Sequence, residues 1–230
     1  MTTTTKAASP GKKYVLAAAG GGGKSTLAML MASTAIFRKV EIDIFDVEPA
    51  NPTSRRYFKS MPPENALEDD RPEAVVPFLE NRVFGSSRPA IVDLGANMEG
   101  HVLRWVNDRG AAVAEDIRFI VPISKRDGIT AAARIALNCG AASILLVHNE
   151  AGGLDADAAI ADPAFVRLAS QIGQPARLPH LGMTMADVHR TSTPPHAMIA
   201  GRNRFEAQGA LTMIRTVEAT FFDHPEFRPW

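Results

Sequence analysis

Short apolar runs alternate along the chain with longer stretches in which apolar residues recur every three or four positions. The short runs predict β-strands, and the longer stretches predict amphipathic helices. Strands are predicted at residues 14–19, 40–45, 90–94, 117–123 and 143–148, with a shorter one at 176–178. Helices are predicted at residues 25–37, 72–81, 100–108, 128–139, 163–173 and 195–217. This alternation is typical of repeated βαβ units, so we expect an α/β fold with a mostly parallel central sheet flanked by helices on both faces.

One stretch interrupts this alternation. Residues 49–70 are rich in Pro, Asn, Asp and Glu and have no clean period, so they predict a long loop with one helical turn. The 230 residues suit one α/β domain, and the sequence shows no internal repeat and no domain linker. We therefore expect a single domain at residues 14–230, preceded by a flexible, polar, Thr-rich leader at residues 1–13.

Composition and charge narrow the function classes. The 25 basic and 25 acidic residues give no net charge, so contact with nucleic acid or anionic lipid requires a local basic patch. No apolar stretch is long enough to cross a bilayer, and residues 1–13 lack the apolar core of a signal peptide. The single cysteine, Cys139, cannot form an internal disulfide, which indicates a reducing compartment. We expect a cytoplasmic protein that does not bind membranes.

The most informative chemistry lies between the first strand and the first helix, where four glycines precede Lys24 and Ser25. Glycines let consecutive backbone N–H groups face phosphate oxygens, and the positive end of the following helix points at the same charge. In such a P-loop, Lys24 reaches the β- and γ-phosphates and Ser25 binds Mg²⁺. A flexible turn before an ordinary helix is the weaker alternative, because strand, glycines, Lys-Ser-Thr and helix occur together. The predicted nucleotide-binding residues of this loop are Gly20, Gly21, Gly22, Gly23, Lys24, Ser25 and Thr26.

The octapeptide Ala19-Gly20-Gly21-Gly22-Gly23-Lys24-Ser25-Thr26 resembles the deviant Walker A motif, K-G-G-x-G-K-[ST]-T, of the ParA/MinD family of ATPases. It matches at every position except the first, where the family has a lysine and this chain has Ala19. In the family, that lysine reaches the phosphates of the partner subunit across an ATP-bound dimer. The resemblance implies ATP and Mg²⁺ as cofactors and an ATP-dependent homodimer. The change to alanine bears on the contact between subunits and leaves nucleotide binding itself intact.

Acidic residues follow the second strand. The segment that begins Asp46-Val47-Glu48-Pro49 resembles the family's switch I element. By that resemblance, Glu48 orients the attacking water and Asp46 lies nearer the metal. The family usually has aspartate at the position of Glu48, so we expect slow hydrolysis. Without the resemblance, these residues are equally typical of acidic residues that end a strand before a proline turn.

The third strand ends in Asp93-Leu94-Gly95, which resembles the family's switch II element. The resemblance implies that Asp93 holds Mg²⁺ through water and that the Gly95 N–H binds the γ-phosphate, so that this loop distinguishes ATP from ADP. The predicted catalytic residues are Lys24, Glu48 and Asp46, and the predicted metal-binding residues are Ser25, Asp46 and Asp93.

Asn149 ends the fifth predicted strand, where the family has an asparagine that contacts adenine. An amide offers both a donor and an acceptor to a base edge. A turn residue that leads into the glycines at 152 and 153 is an equally good interpretation of Asn149. Pro179, His180 and Leu181 match, more loosely, a segment that lines the base in family members.

Within the family, the chain is most similar in character to small plasmid partition and stability ATPases, StbB-like proteins included. These couple ATP binding to dimerisation and to association with DNA or a DNA-bound adaptor protein. Candidate contacts with non-specific DNA are basic residues predicted in loops or at helix starts, and each is equally well explained by solvation and local ion pairing. They are Arg55, Arg56, Lys125, Arg126, Arg202 and Arg204.

Other function classes stay open. One is a nucleotide-dependent carrier or scaffold with little ATP turnover, although the single cysteine weighs against a shared metal centre. Another is a small-molecule kinase, although no acceptor-binding signature is visible. The predicted helix at 195–217 is expected to pack on the core, since a helix on a membrane surface is basic on its polar face.

Overall fold

The computed structural model describes residues 11–18, 20–96, 98–201 and 203–222. These ranges contain one six-stranded sheet with the strand order β2-β3-β1-β4-β5-β6. Every neighbouring pair in it is parallel. The strands are β1 (Lys13–Leu16), β2 (Asp43–Val47), β3 (Ala90–Leu94), β4 (Ile117–Ile123), β5 (Ile144–Asn149) and β6 (Ala176–Leu178). The predicted α/β architecture with a parallel sheet is confirmed.

Helices connect the strands and cover the sheet. They are α1 (Lys24–Phe37), α2 (Thr53–Tyr57), α3 (Pro72–Phe78), α4 (Glu99–Arg109), α5 (Ala111–Ala114), α6 (Asp127–Cys139), α7 (Leu154–Ala161), α8 (Pro163–Ile172), α9 (Gly182–Thr191), α10 (Pro195–Ile199) and α11 (Arg204–Val217). Five-residue π-helical segments continue α3 and α11. None of the helices in the described ranges has both the length and the apolar character needed to cross a membrane.

The hydrophobic core has two layers, one on each face of the sheet. Alternate strand residues point to opposite faces, so Val15 and Val92 contact the layer built by α3, α4, α6 and α8. Tyr14 and Ile91 contact the other layer, which is built mainly by α1, α10 and α11. Ala210, Met213 and Val217 of α11 lie in this second layer, as expected for a helix that packs on the core.

Several predicted elements differ from those observed. The first strand, predicted at 14–19, ends at Leu16. The second strand begins at Asp43 rather than at residue 40, because the chain is still turning out of α1. Lys39 has a φ of 59°, and the Val40 N–H donates to the Ala35 carbonyl. The predicted helix at 195–217 is two helices, because the Asn203 side chain accepts from backbone N–H groups at the start of α11 and caps a new helix there.

Some helices were not predicted, and the first strand begins within the predicted leader. Helices α7 and α9 were not predicted, since each buries few large apolar side chains. Residues 1–10 of the predicted leader lie outside the described residues, and its last residue, Lys13, is the first residue of β1. The buried Lys13 ammonium donates to the carbonyls of Ser86 and Arg88.

The strand order locates the crevice in which open α/β sheets bind ligands. From β1 the chain crosses to β2 and β3 on one side, and it then passes β1 to form β4 on the other side. The connections therefore run in opposite directions from the carboxyl ends of β1 and β4. In open α/β sheets, ligands bind at such a switch point.

Candidate functional site

A glycine loop, residues 20–23, leaves β1 at this switch point and leads into α1. Gly21 and Gly23 have φ angles of 74° and 87°, a region that favours glycine. A Cβ at Gly23 would lie 2.6 Å from Nδ2 of Asn149, so a larger residue does not fit there. The loop therefore places closely packed backbone at the N-terminus of α1, where anions are stabilised.

Lys24 is the first residue of α1, and only 6% of its surface is exposed. Its ammonium donates to the Ala18 carbonyl at 2.9 Å. Burial lowers the pKa of Lys24, and the negative charges of Asp93 and Glu48 oppose this shift. The geometry thus holds a cation against the glycine loop and close to two carboxylates.

Asp93, at the carboxyl end of β3, joins two elements through its carboxylate. One oxygen accepts from the Ser25 hydroxyl at 3.1 Å, and the other accepts from the buried Ser54 hydroxyl on α2 at 2.8 Å. Ser25 and Asp93 were predicted to act together, and the structure brings them into contact. Ser54 was missed, because it lies in the stretch without periodicity and nothing local in the sequence relates it to β3.

Asp46 lies directly opposite Asp93 on the neighbouring strand. One of its oxygens accepts from the Arg55 N–H at 2.9 Å, and the other is buried without a hydrogen-bond partner. Burial raises the pKa of Asp46 to about 6. Burial, with the charge of Asp46 as the next cause, raises the pKa of Asp93 to about 7. Two neighbouring acids that are costly to ionise, one with an unpaired oxygen, favour a bound cation.

The donor set fits magnesium. Mg²⁺ takes oxygen ligands, keeps several waters, and uses only one or two protein groups besides substrate phosphates. Ser25, Asp46 and Asp93 supply such oxygens. Within the described ranges, no group of three or more His, Cys, Asp or Glu residues is arranged to hold a metal ion.

Glu48 and Gly95 face each other just beyond the strand ends. Glu48 is half-buried, and burial raises its pKa while the charge of Lys24 opposes the shift. A Cβ at Gly95 would lie 3.2 Å from Cγ of Glu48. The Gly95 N–H donates to the Val47 carbonyl at 2.9 Å, so this hydrogen bond must break before Gly95 can bind a phosphate. The γ-phosphate contact of Gly95 stays a prediction.

A cavity of about 340 Å³ opens beside the glycine loop. The loop and α1 form one wall, and the segment after β6 together with α9 forms the opposite wall. The residues that line it include Gly21, Thr26, Lys125, Asn149, His180 and His189. Pro179, His180 and Leu181 all line this cavity, whereas Ser25, Asp46 and Asp93 are not among its lining residues.

Asn149 caps the turn after β5 and also lines the cavity. Its Oδ1 accepts from the Ala151 N–H at 3.3 Å and caps the turn that follows β5. Its Nδ2 lies 3.5 Å from the Gly22 carbonyl, and its side chain lines the cavity. The Asn149 side chain therefore contacts the glycine loop. Its contact with a base stays a prediction.

One hydrogen bond connects α2 to the cavity wall. The Tyr57 hydroxyl lies 2.6 Å from Nδ1 of His189, a residue of α9. Burial lowers the pKa of His189, which favours the neutral ring. One nitrogen of a neutral imidazole donates a hydrogen bond and the other accepts one. Helix α2 thus contacts Asp93 through Ser54 and the cavity wall through Tyr57.

The candidate DNA-binding residues lie on several elements. Arg55 and Arg56 are exposed on α2. Lys125 lines the cavity, and the neighbouring Arg126 pairs with Asp162 at 3.1 Å. Arg204 begins α11. Ala19 and Arg202 lie outside the described residues.

The structure thus combines a parallel α/β sheet, a glycine loop before α1 and an acid near the carboxyl end of β3. The sequence matches no protein-family model and no curated protein sequence. Among solved structures, the chain is similar to apo McdA from Cyanothece, with 12% identity and a TM-score of 0.52 over 90% of this chain and 98% of McdA. A complex of a Cyanothece McdA variant with ATP aligns over 92% of this chain and 97% of the variant, with 15% identity and a TM-score of 0.48. At such identities, the similarity to apo McdA supports the fold alone.

Proposed function

We propose that this chain is a Mg-ATP-binding ATPase of the ParA/MinD type. The observation that carries the proposal is the hydrogen-bonded series Ser25–Asp93–Ser54 beside the buried Lys24 ammonium. It supplies a hydroxyl, a carboxylate and a cation at the N-terminus of a helix. Phosphoryl transfer from a nucleotide requires these groups, because its catalysis rests on positioning and charge stabilisation.

Each residue has a defined part in this function. The glycine loop and Lys24 bind the phosphates, and Thr26 lines the same cavity. Ser25, Asp46 and Asp93 hold magnesium, which neutralises phosphate charge when bound. Glu48 orients the attacking water, since it stands half-buried beside Gly95 and close enough to Lys24 for their charges to interact. Its carboxylate lies one methylene further from the backbone than that of aspartate, which favours slow turnover.

Replacement of Glu48 with alanine is expected to lower ATP turnover about 100-fold, since positioned acid–base groups contribute at least this much. ATP affinity should stay unchanged, because Lys24 and the glycine loop bind the phosphates. Phosphate release and ATP titration of the same preparation measure the two quantities. Glu41→Ala, an exposed acid before β2, is the matched control. Equal turnover in both variants would remove Glu48 from the mechanism.

We further infer that ATP binding drives formation of a homodimer that associates with DNA or a DNA-bound adaptor, in plasmid or DNA partition or stability. Two contacts support a nucleotide-dependent surface. Asp93 binds Ser54, and Asp46 binds the Arg55 N–H, so both acids hold α2. The same short helix exposes Arg55 and Arg56. Each of the two acids is thus one hydrogen bond away from the helix that carries Arg55 and Arg56. A shift of either acid on binding of magnesium would therefore move these two exposed basic residues.

The test is retention on non-specific duplex DNA with ATP, with ADP and without nucleotide, at two salt concentrations. We expect retention with ATP that weakens as salt rises, because phosphate contacts release counterions. Lys24→Ala should abolish it, and the double variant Arg55→Ala/Arg56→Ala should reduce it while ATP binding persists. Light scattering of the same samples gives the oligomeric state.

A second function, a carrier or scaffold with little turnover, is favoured by one observation. The carboxylate at the water-orienting position belongs to Glu48, not to the aspartate usual in the family. An ATP-dependent dimer without DNA retention in any nucleotide state would support this function, and the next step is then a search for a protein partner.

A further inference from the structure

Lys125 stands at the opposite side of the crevice from the glycine loop. It follows Ser124 directly after β4, and β4 is the parallel neighbour of β1, from which the glycine loop departs. The carboxyl ends of these two strands form the switch point of the sheet. A side chain that leaves β4 here is therefore directed by the strand order towards whatever binds the glycine loop.

The distances agree with this placement. A Cβ built on Gly21 would lie 3.8 Å from Nζ of Lys125, so the ammonium reaches the backbone of the glycine loop. Lys125 and Gly21 line the same cavity. The ammonium thus stands where the glycine loop and the cavity meet.

The charge of Lys125 is only weakly compensated by its ion-pair partner. Asp127 lies 3.9 Å away, and the Asp127 side chain is 70% exposed, so this pair contributes little. The other ammonium at this loop is that of Lys24, the first residue of α1, which donates to the Ala18 carbonyl at 2.9 Å. Two ammonium groups from different elements therefore flank one loop. Such an arrangement is stabilised by a polyanion that contacts both groups.

We propose that Lys125 binds the phosphate chain of the nucleotide from within the same chain, as a second cation beside Lys24. Lys125 is then a phosphate-positioning residue rather than a DNA contact. The inference rests on the proposed function, because it takes the glycine loop as the phosphate site. It adds a residue that lies about a hundred positions from the loop in sequence and that no P-loop motif contains.

The test compares binding of ATP and of inorganic triphosphate, which lacks a base, by Lys125→Ala, Lys125→Arg and Lys59→Ala. Lys59 is an exposed lysine whose removal changes net charge equally. We expect Lys125→Ala to bind both ligands about ten-fold more weakly, with a shallower dependence of affinity on salt, since a charge-assisted hydrogen bond is lost. Lys125→Arg should retain most of the affinity, and Lys59→Ala all of it.

The outcomes separate this inference from the proposed function. If the wild-type protein binds neither ligand, the proposed function fails. If it binds ATP, and Lys24→Ala loses binding while Lys125→Ala behaves as Lys59→Ala, only the role of Lys125 is overturned. Lys125→Gln removes the charge and keeps most of the length of the side chain. It should reproduce the loss, and unchanged affinity in a folded Lys125→Gln would equally overturn the role.

Discussion

ATP affinity is expected to fall at least about 100-fold when Lys24 is replaced by alanine. Charge-assisted hydrogen bonds to phosphate contribute about 1.5–3 kcal/mol each, and a P-loop lysine contacts two phosphates. The Lys24 ammonium is already buried and held against the Ala18 carbonyl, so little ordering cost opposes its contact with a ligand. Calorimetric titration with Mg-ATP measures the change.

Two further variants distinguish a loss of ATP binding from a folding defect. Lys24→Met keeps most of the buried aliphatic stem and removes the charge, so it should lose ATP binding and keep the thermal stability of the nucleotide-free protein. Lys59→Ala should change neither quantity. Wild-type affinity in a folded Lys24→Met would show that the glycine loop is not the phosphate site.

Asp93→Asn is expected to stabilise the nucleotide-free protein at pH 8. The pKa of Asp93 is raised from 3.8 to about 7, so the native state holds more protons than the unfolded state between these values. Stability of the wild type should therefore fall as pH rises through this range, because a buried carboxylate must ionise. The amide avoids this cost, and we expect a gain on the order of 2 kcal/mol. Urea unfolding at pH 5 and pH 8 measures it.

The same substitution should remove the magnesium dependence of ATP binding, since the lost carboxylate is one of the predicted ligands. An amide still accepts from Ser25, and the Ser54 hydroxyl turns to accept from the new NH₂ group, so the packing survives. The exposed Asp108→Asn is the control. A pH dependence of stability that is equal in wild type and Asp93→Asn would contradict the raised pKa of Asp93.

Local patterns in the sequence predict much of the fold and the phosphate-facing side of the site. The strands at 90–94 and 117–123 are observed with the predicted bounds, because each is a short, mainly apolar run with turn-forming residues close by. Ser25 was expected at the site from the P-loop motif, and Asp93 from the resemblance of Asp93-Leu94-Gly95 to the switch II element. Parallel strands bring their carboxyl ends to one edge, so nearness in space follows without further information.

The remaining contacts depend on tertiary structure that no local period encodes. Ser54 and Tyr57 lie in the stretch predicted mainly as loop, and their partners lie 39 and 132 positions away. The place of Lys125 follows from β4 pairing with β1, which is a property of the strand order. The position of Asp46 inside β2 follows from the late turn out of α1 at Lys39. Long-range pairing, not composition, decides these positions.

The hydrogen bond between Tyr57 and His189 has a thermodynamic consequence. Helix α2 carries Ser54, which binds Asp93, and α9 carries His189, which lines the cavity at the other end. A ligand group that displaces α9 while this bond persists must also move α2, and movement of α2 changes the free energy at Asp93. Linkage is reciprocal, so occupancy at the acids changes affinity in the cavity by the same factor. Binding at Asp93 and binding in the cavity are then thermodynamically coupled.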